Sequence, residues 1–434
     1  MKRKRFGPRL SLGTVVMLLF TFLVIAGCSW FMLRITGEDM ASRAAQLVAS
    51  LKLAEEMPQP VQPREAAVTP VPVVTATPVL HVSPAPTASP TPVPEKVTIT
   101  IAVAGSVYAP KAISQTVEER SGADFTPVFA AIKDVLAPAD LAIVTMETLT
   151  AGSERGYDNY NTPVQLLDAL RACGVDLVSL ATERALDKGY EGLTITMQEL
   201  VSRGMSYAGA APDGESEIGI VRLDGVEVAV LAYSYGLSEE GKQKTDNDSR
   251  GMLAQIELAR IQRDIASARN KGADVVIVLP HWGTKNKLET PEVIRTMARD
   301  LAKAGADVIL GTHPNVPQGI ERLSVTRTDG LVYDTVVCYS LGSLLTDART
   351  SENTAGMAAA IDITYDPVTR RIMLGDAQVT PLYIAKTKDD DKTVYRVVPA
   401  EDEAALAMLD SAEREAAKQA AAMVYEVIGE AIQP

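Results

Sequence analysis

The strongest constraint on the fold is a pattern that occurs three times, in which an amphipathic helix ends in glycine and a short apolar strand follows. The three helical stretches read VQLLDALRACG, ARIQRDIASARNKG and VIRTMARDLAKAG. The strands predicted directly after them are residues 175–181, 273–279 and 306–310. Short apolar strands that alternate with helices are typical of a domain whose sheets are covered by helices. We therefore predict an α/β fold.

Other stretches extend the predicted sheets. Residues 97–104 and 140–145 are apolar enough to form buried strands. The stretch EIGIVRLDGVEVAVLAY predicts a β-hairpin that turns at Asp224-Gly225, because this residue pair suits a tight two-residue turn. After Thr335 the chain becomes rich in strand-forming residues.

The sequence divides into four segments with different compositions. They are a basic start with a membrane segment (1–37), a juxtamembrane stretch and proline-rich linker (38–95), the folded α/β domain (96–400), and a region packed on that domain (401–434) that contains a helix predicted over 401–432. The linker has 11 prolines within residues 58–94. Such a stretch cannot bury a core and favours polyproline II, which would span on the order of 100 Å when extended.

The N-terminal segment predicts attachment to a membrane. Basic residues precede an uncharged, mostly apolar run at residues 10–33, about long enough to cross a bilayer of ~30 Å. The basic end is expected to stay in the cytoplasm, which places the folded domain outside a bacterial membrane, at the cell surface or in the periplasm. Two alternatives are a cleaved signal peptide and lipoprotein processing before Cys28 in the stretch IAGC. We favour an uncleaved anchor, because the residues after Cys28 stay apolar.

The charge distribution argues against nucleic acid as a partner. The net charge of the chain is −13. The first 37 residues contain six basic residues and no acidic residue, so the net charge of the remaining residues is more negative still. The cysteines are also uninformative for metal binding. Cys28 lies in the apolar run, and Cys173 and Cys338 lie in stretches that resemble a core, so neither a disulfide framework nor a cysteine zinc site is predicted.

Polar side chains follow the ends of several predicted strands, where open α/β sheets place their ligands. These positions carry Ser106, Glu147, Thr182, Glu183, Arg184, His281, Thr312, His313 and Asn315. Two of the three histidines in the chain, His281 and His313, occupy equivalent strand ends. A shared site and a pair of structural hydrogen-bonding residues are both compatible with this placement.

The order and spacing of six stretches resemble the CapA-type poly-γ-glutamate capsule biosynthesis family, within the calcineurin-like metallophosphoesterase superfamily. The stretches are IAVAGSV, ADLAIVTMETL, VDLVSLATERALDKGYEGL, VIVLPHWG, ADVILGTHPNVPQGIE and YSLGSLL, spread over roughly residues 97–347. The resemblance implies an α/β/β/α sandwich with a two-metal site at the strand ends. It also implies action in the synthesis, export or attachment of an anionic surface polymer, with that polymer or other membrane proteins of capsule synthesis as partners.

Several positions where the resemblance implies a metal ligand or a group of the site carry other residues. Ser106 replaces an aspartate, Thr182-Glu183-Arg184 replaces Asn-Asn-His, Lys285 replaces an acid, Thr312 replaces a histidine, Asn315 replaces the second histidine of His-Pro-His, and Ser343 replaces an asparagine. Glu147, Asp187, His281 and His313 match the pattern of the family. Because each ion of a two-metal site needs several carboxylate, histidine or amide ligands, we predict that metal-dependent phosphoester hydrolysis is lost.

Two hypotheses remain for the site. In the first, Arg184 and Lys285 replace the charge of the metals and bind an anion, with Ser106, Thr312 and Asn315 as further binding residues. A collapsed relic, in which Glu183 and Arg184 pair with their neighbours, is an equal alternative within this hypothesis.

The second hypothesis is a hydrolase with one divalent ion of the manganese or zinc type. The predicted metal ligands are Glu147, Glu183, His281 and His313, and the candidates for catalysis are His281, His313 and Asp187. Binding without any metal and binding of a single ion therefore both remain open. A metal held by at least three protein ligands would favour the enzyme, and a metal-free pocket with Arg184 pointing inward would favour the binding module.

Overall fold

The computed structural model describes residues 94–211, 218–245 and 249–429. By its internal contacts the chain separates into Met1–Ala88 and Ser89–Pro434, and all described residues belong to the second unit. The predicted membrane segment, Cys28 and the linker up to residue 93 lie outside the described residues. Within the described ranges, the helices are all too short or too polar to cross a membrane.

The described residues form strands in two sheets. In chain order they are β1 Val97–Val107, β2 Leu141–Met146, β3 Leu177–Ser179, β4 Ser206–Ala208, β5 Ile220–Leu223, β6 Val226–Ser234, β7 Val275–His281, β8 Val308–Leu310, β9 Ile320–Thr326, β10 Val332–Cys338, β11 Ser343–Leu345, β12 Ala355–Asp366, β13 Arg371–Leu374, β14 Gln378–Asp389 and β15 Lys392–Pro399.

Helices connect and cover these strands. They are α1 Lys111–Ser121, α2 Thr126–Phe129, α3 Lys133–Leu136, α4 Gln165–Ala172, α5 Gly189–Ser202, α6 Glu239–Lys244, α7 Leu258–Asn270, α8 Glu292–Ala304, α9 Ser351–Thr354, α10 Glu403–Ala407 and α11 Ser411–Ile428. Short 3-10 turns lie at Ala130–Ile132, Ser153–Arg155 and Ser249–Met252.

Both sheets mix parallel and antiparallel strands. The first has the order β15-β14-β12-β1-β2-β3-β4, with β11 beside β1 and β13 beside β12. Its strands β1 to β4 are parallel, so their carboxyl ends lie along one edge. The second has the order β5-β6-β7-β8-β10-β9, with parallel pairing from β6 to β10. This arrangement confirms the predicted α/β class.

The two sheets pack face to face, as the alternation of buried side chains along β7 shows. Val275 and Ile277 belong to the same core as Ile101 of β1. The intervening Val276 belongs to a second core, which it shares with Ile261 of α7. Because neighbouring side chains of a strand point to opposite faces, one face of the second sheet packs on the first sheet and the other on helices. The first sheet is also covered by a helix, because β14 and α11 share a third core. The layers therefore follow the order helix, sheet, sheet, helix.

The predicted hairpin is confirmed. Strands β5 and β6 pair antiparallel with Leu223 opposite Val226, which leaves Asp224 and Gly225 as the two turn residues. Their φ angles are 46° and 90°, and two successive left-handed residues make the turn whose twist matches that of the flanking strands.

The single C-terminal helix predicted over residues 401–432 is wrong, because two helices cover this region. The carboxylate of Asp410 accepts hydrogen bonds from the backbone amides of Ala412 and Glu413 and thereby starts α11. Asp410 itself has an extended backbone, which separates α11 from α10. The strand predicted at residues 175–181 is also shorter, since ladder pairing is limited to Leu177–Ser179.

Candidate metal and anion site at the strand ends

The carboxyl ends of both sheets meet at one site. In the first sheet, Ser106 is the penultimate residue of β1, and Glu147 and the turn that contains Glu183 follow β2 and β3. In the second sheet, His281 is the last residue of β7 and His313 follows β8. The two sets are joined directly, because a hydrogen bond links Glu183 to His281. Residues predicted from their strand-end positions are therefore brought together from both layers of the sandwich.

The carboxylate of Glu183 lies at the centre of the site and is only 3% exposed. Nε2 of His281 donates to its Oε2 at 2.5 Å, and Nζ of Lys285 lies 2.7 Å from its Oε1. Nδ1 of His313 and Nε of Arg184 lie 3.5 Å and 3.9 Å away. Burial raises the pKa of Glu183, but the histidine hydrogen bonds and the charge of Lys285 outweigh it and hold that pKa below its ordinary value.

The imidazole of His281 is fixed on its other side by Thr312. Its Nδ1 lies 3.0 Å from Oγ1 of Thr312, a hydroxyl that can donate to or accept from either tautomer of the ring. Tyr235 covers both histidines from the solvent side, with ring centroids 6.3 Å from His281 and 4.5 Å from His313. Tyr235 itself is 51% exposed, so it forms part of the rim.

The loop that follows β8 has an unusual backbone. His313 and Asn315 have φ angles of 100° and 58°, which non-glycine residues rarely adopt. The carbonyl oxygen of Asn315 accepts from Nδ2 of Asn353 at 3.0 Å, and this bond holds the loop in place. Backbone strain of this kind persists where the surrounding structure imposes it, and it is common at functional sites.

Arg184 is oriented by neighbours on both sides. Its Nη1 donates to Asp187 at 3.2 Å, and its guanidinium lies over the ring of Tyr160 at 4.2 Å. The carboxylate of Asp187 is fully buried and also accepts from the hydroxyl of Ser238. Burial raises the pKa of Asp187, although the bonds from Ser238 and Arg184 act in the opposite direction. Asp187, a predicted candidate for catalysis, therefore holds the guanidinium of Arg184, which remains 24% exposed.

Four residues at the ends of the first sheet have a buried oxygen atom without a hydrogen-bond partner among the described residues. The atoms are Oγ of Ser106, Oε1 of Glu147, Oγ1 of Thr182 and Oε1 of Glu183, the last of which is in ion-pair contact with Lys285. Buried polar atoms are nearly always satisfied, so such atoms often mark the place of a water molecule or a ligand. Glu147, a predicted metal ligand, is not part of the close donor group described next.

Glu183, His281 and His313 form a group that fits one metal ion. Their donor atoms are 2.5, 3.3 and 3.5 Å apart. Zinc bonds of ~2.0–2.2 Å in a tetrahedron place ligands roughly 3.3–3.6 Å apart, which two of the three distances match. The hydrogen bond between Glu183 and His281 would have to open by about 1 Å. A fourth position would stay open, as in zinc sites that act on a bound molecule.

A second metal ion does not fit the residues present. The other oxygen of Glu183 already contacts the ammonium of Lys285 at 2.7 Å. Ser106 contributes a hydroxyl, a weaker ligand than the aspartate that the resemblance implies. The donor set therefore suits one ion at most.

Sequence reasoning missed Tyr160, Tyr235 and Ser238. Tyr235 directly follows β6, a strand end like the others, so its position could have indicated a role. Tyr160 and Ser238 lie in loops whose sequences carry no such signal.

Two packed sheets whose carboxyl ends share a Glu/His/His donor group define an α/β sandwich protein with a candidate metal site. The chain belongs to the family described as bacterial capsule synthesis protein PGA_cap, whose model matches residues 100–348. The CapA-type family predicted from the sequence is thereby confirmed.

Two relatives have similar sequences. The PGA biosynthesis protein CapA of Bacillus subtilis (strain 168) is 26% identical over 243 residues, which are 54% of this chain and 60% of that protein. The capsule biosynthesis protein CapA of Bacillus anthracis is 24% identical over 264 residues, which are 58% of this chain and 61% of that protein. The chain thus spans about three fifths of the length of these relatives.

One of the solved structures to which the chain is similar is the calcineurin-like phosphoesterase YfkN from Bacillus subtilis. It has a TM-score of 0.39 and is 14% identical, and the match covers 75% of this chain and 100% of that one.

Proposed function

We propose that the chain is a membrane-tethered accessory protein that acts outside a bacterial membrane in the synthesis, export or attachment of an anionic surface polymer. The family to which it belongs supports the process. The basic N-terminus, the apolar run at residues 10–33 and the proline-rich linker support the tether. Other membrane proteins of capsule synthesis are the expected partners, together with the polymer.

We infer further that the strand-end site binds an anionic group of the polymer and does not hydrolyse it. The observation that carries this inference is the position of Lys285, whose ammonium contacts the buried carboxylate of Glu183 at 2.7 Å while its side chain is 42% exposed. An ammonium has three donors, so those not directed at Glu183 can reach a bound carboxylate or phosphate. Arg184 adds a second, partly exposed cation at the same rim.

Because the chain is acidic overall, we expect a polyanion to bind only near the cations at the rim of the site. A net charge of −13 repels a polyanion over most of the surface. Because exposed charges are screened beyond about 8 Å at physiological ionic strength, the cations at the rim can still attract a polymer segment that reaches them. Binding should therefore weaken as salt is added.

A calorimetric titration tests the proposal. Poly-γ-glutamate is added to the full chain in detergent, with a chelator present, and the binding affinity is measured. Lys285→Gln is expected to weaken binding by at least tenfold, since it removes a charge-assisted contact. Lys287→Gln removes the same charge from an exposed position of the same loop and should leave the affinity within about twofold. Equal affinities for the wild type and Lys285→Gln would contradict the proposal.

A hydrolase with one metal ion is a second candidate, favoured by the donor distances of 3.3 and 3.5 Å around His313. Glu183, His281 and His313 would hold the ion, which would supply Lewis-acid activation of water or of a phosphoryl oxygen. Lys285 would help to neutralise a phosphoester, and Tyr235 would limit the access of water to the histidines.

Metal analysis of the full chain after incubation with manganese or zinc separates the two candidates. The hydrolase would be favoured if the wild type binds about one ion per chain and hydrolyses a test phosphoester, and if His281→Ala loses both the ion and the hydrolysis. Polymer binding that persists in chelator without any hydrolysis would favour the binding module.

A further inference from the structure

Besides Asp187, which is paired with Arg184, two further carboxylates are buried at this site. Glu147 and Glu183 are 4% and 2% exposed. A buried carboxylate is costly unless a cation or several hydrogen bonds compensate it. One oxygen of Glu147 has no hydrogen-bond partner among the described residues.

Lys285 supplies a cation at this site. It lies in the loop after β7, four residues beyond His281, and contacts Glu183 directly. A lysine side chain is ordinarily an ammonium at neutral pH. Its contact with Glu183 at 2.7 Å is therefore an ion pair.

The two oxygens of Glu183 have different roles. Its Oε2 faces the nitrogens of His281 and His313, and this oxygen is the one that the candidate metal group includes. Its Oε1 faces Lys285. In two-metal sites a bridging ligand has one cation on each side. Here the second side is taken by an ammonium.

We propose that the ammonium of Lys285 is a built-in cation that takes the place of a second metal ion, so that the site accepts no more than one ion. A dication close to this ammonium would be repelled by it, and Glu183 would have no free oxygen to bridge the two. The proposal deepens the proposed function, and the two share one premise, the positive charge of Lys285 at the rim.

Removal of that charge gives a testable expectation. In Lys285→Met, the buried carboxylate of Glu183 loses its cation, so the thermal midpoint in chelator should fall below that of the wild type. Zinc or manganese should restore it, and the affinity for the ion should rise by at least tenfold, because the repulsion is gone. Lys285→Arg keeps the charge and should behave like the wild type.

Stoichiometry and affinity are measured by elemental analysis and calorimetry on the full chain in detergent. Lys287→Met is the matched control, since it removes an exposed charge from the same loop, and it should change neither quantity. Two tightly bound ions per wild-type chain would overturn the proposal, even if Lys285→Met does not fold. So would a Lys285→Met protein with unchanged metal affinity and an unchanged midpoint in chelator.

Polymer titration in chelator distinguishes a failure of this inference from a failure of the proposed function. If poly-γ-glutamate does not bind but the metal results are as expected, the proposed function fails and the built-in cation stands. If the polymer binds and the wild type takes up two ions, the proposed function stands and the inference of a built-in cation fails.

Discussion

Glu183→Gln tests whether the buried charge of Glu183 increases or decreases the free energy of unfolding. The substitution keeps the shape of the side chain and removes its charge. It therefore breaks the ion pair with Lys285 at 2.7 Å and weakens the hydrogen bond from His281 at 2.5 Å. Both partners remain in the structure without the anion that they face.

The expected loss of stability follows from the burial of these groups. Removing one partner of a buried ion pair costs about 3–5 kcal/mol. The side chain of Lys285 is 42% exposed, so water can solvate the freed ammonium and lower this cost. We expect the free energy of unfolding to fall by about 2–4 kcal/mol, which corresponds to a decrease of roughly 3–6 °C in the thermal midpoint for a domain of this size.

The difference between the two proteins should also depend on pH. Partners of Glu183 hold its pKa below the ordinary value of 4.5 despite its burial. A carboxylate whose pKa is lower in the folded state contributes stability that is present above its unfolded pKa and is lost as the pH falls through its folded pKa. The difference in the free energy of unfolding between the wild type and Glu183→Gln should therefore be largest at neutral pH and should decrease below about pH 4.5.

Thermal unfolding followed by circular dichroism, in chelator and over pH 3 to 8, measures both quantities. Glu227→Gln is the control, because its ion pair with Arg222 at 3.5 Å is largely exposed and should contribute at most ~1 kcal/mol. A Glu183→Gln protein as stable as the wild type, or more stable, would refute the reasoning. Its site would then be a collapsed relic whose buried charges are a net cost.

Two further predictions concern the loop after β8, which carries His313. Thr312→Val should weaken zinc or manganese binding by about 10–100-fold, because Nδ1 of His281 loses the hydroxyl 3.0 Å away that orients the ring; calorimetry measures this. Gly311→Ala should destabilise the fold by at least about 3 kcal/mol, as a Cβ atom there would lie 2.5 Å from Nε1 of Trp282 and closer still to the carbonyl oxygen of Tyr339; thermal unfolding measures it.

Each of these two substitutions has a control. Thr335→Val removes a buried hydroxyl that donates to a carbonyl far from the histidines, so it should lower stability without changing metal affinity. Gly236→Ala adds a methyl group where no atom lies within 4 Å, so it should be nearly neutral. Equal effects of a substitution and its control would show that the proposed contact has no special role.

Much of the fold could be predicted because its signals are local. A few neighbouring residues are enough to predict the buried strand at residues 97–104 and the turn at Asp224-Gly225. Burial patterns and turn geometry depend on residues that are close in sequence. Boundaries were less certain, because an apolar stretch can continue beyond its last ladder hydrogen bond. At residues 175–181 the pattern covers seven positions, but only Leu177–Ser179 pair on both sides.

The site could be predicted as a place but not as a set of contacts. Strand ends indicated Glu183 and His281, which are 98 positions apart in the chain and lie at hydrogen-bond distance in the fold. That Lys285 contacts Glu183 depends on how the two sheets pack, and no local pattern encodes this. The pair of Arg184 with Asp187 is local in sequence, yet its cation–π contact with Tyr160 is not.

The junction of the two sheets at Glu183 and His281 has a practical consequence for finding the ligand. A molecule that contacts both residues can bind only while the sheets are packed, so it shifts the folding equilibrium by mass action. At a concentration one hundred times its dissociation constant, such a ligand adds about 2.7 kcal/mol to the free energy of unfolding. A library of polyanions, phosphoesters and metal salts can therefore be ranked by the melting temperature of this protein before any of its chemistry is known.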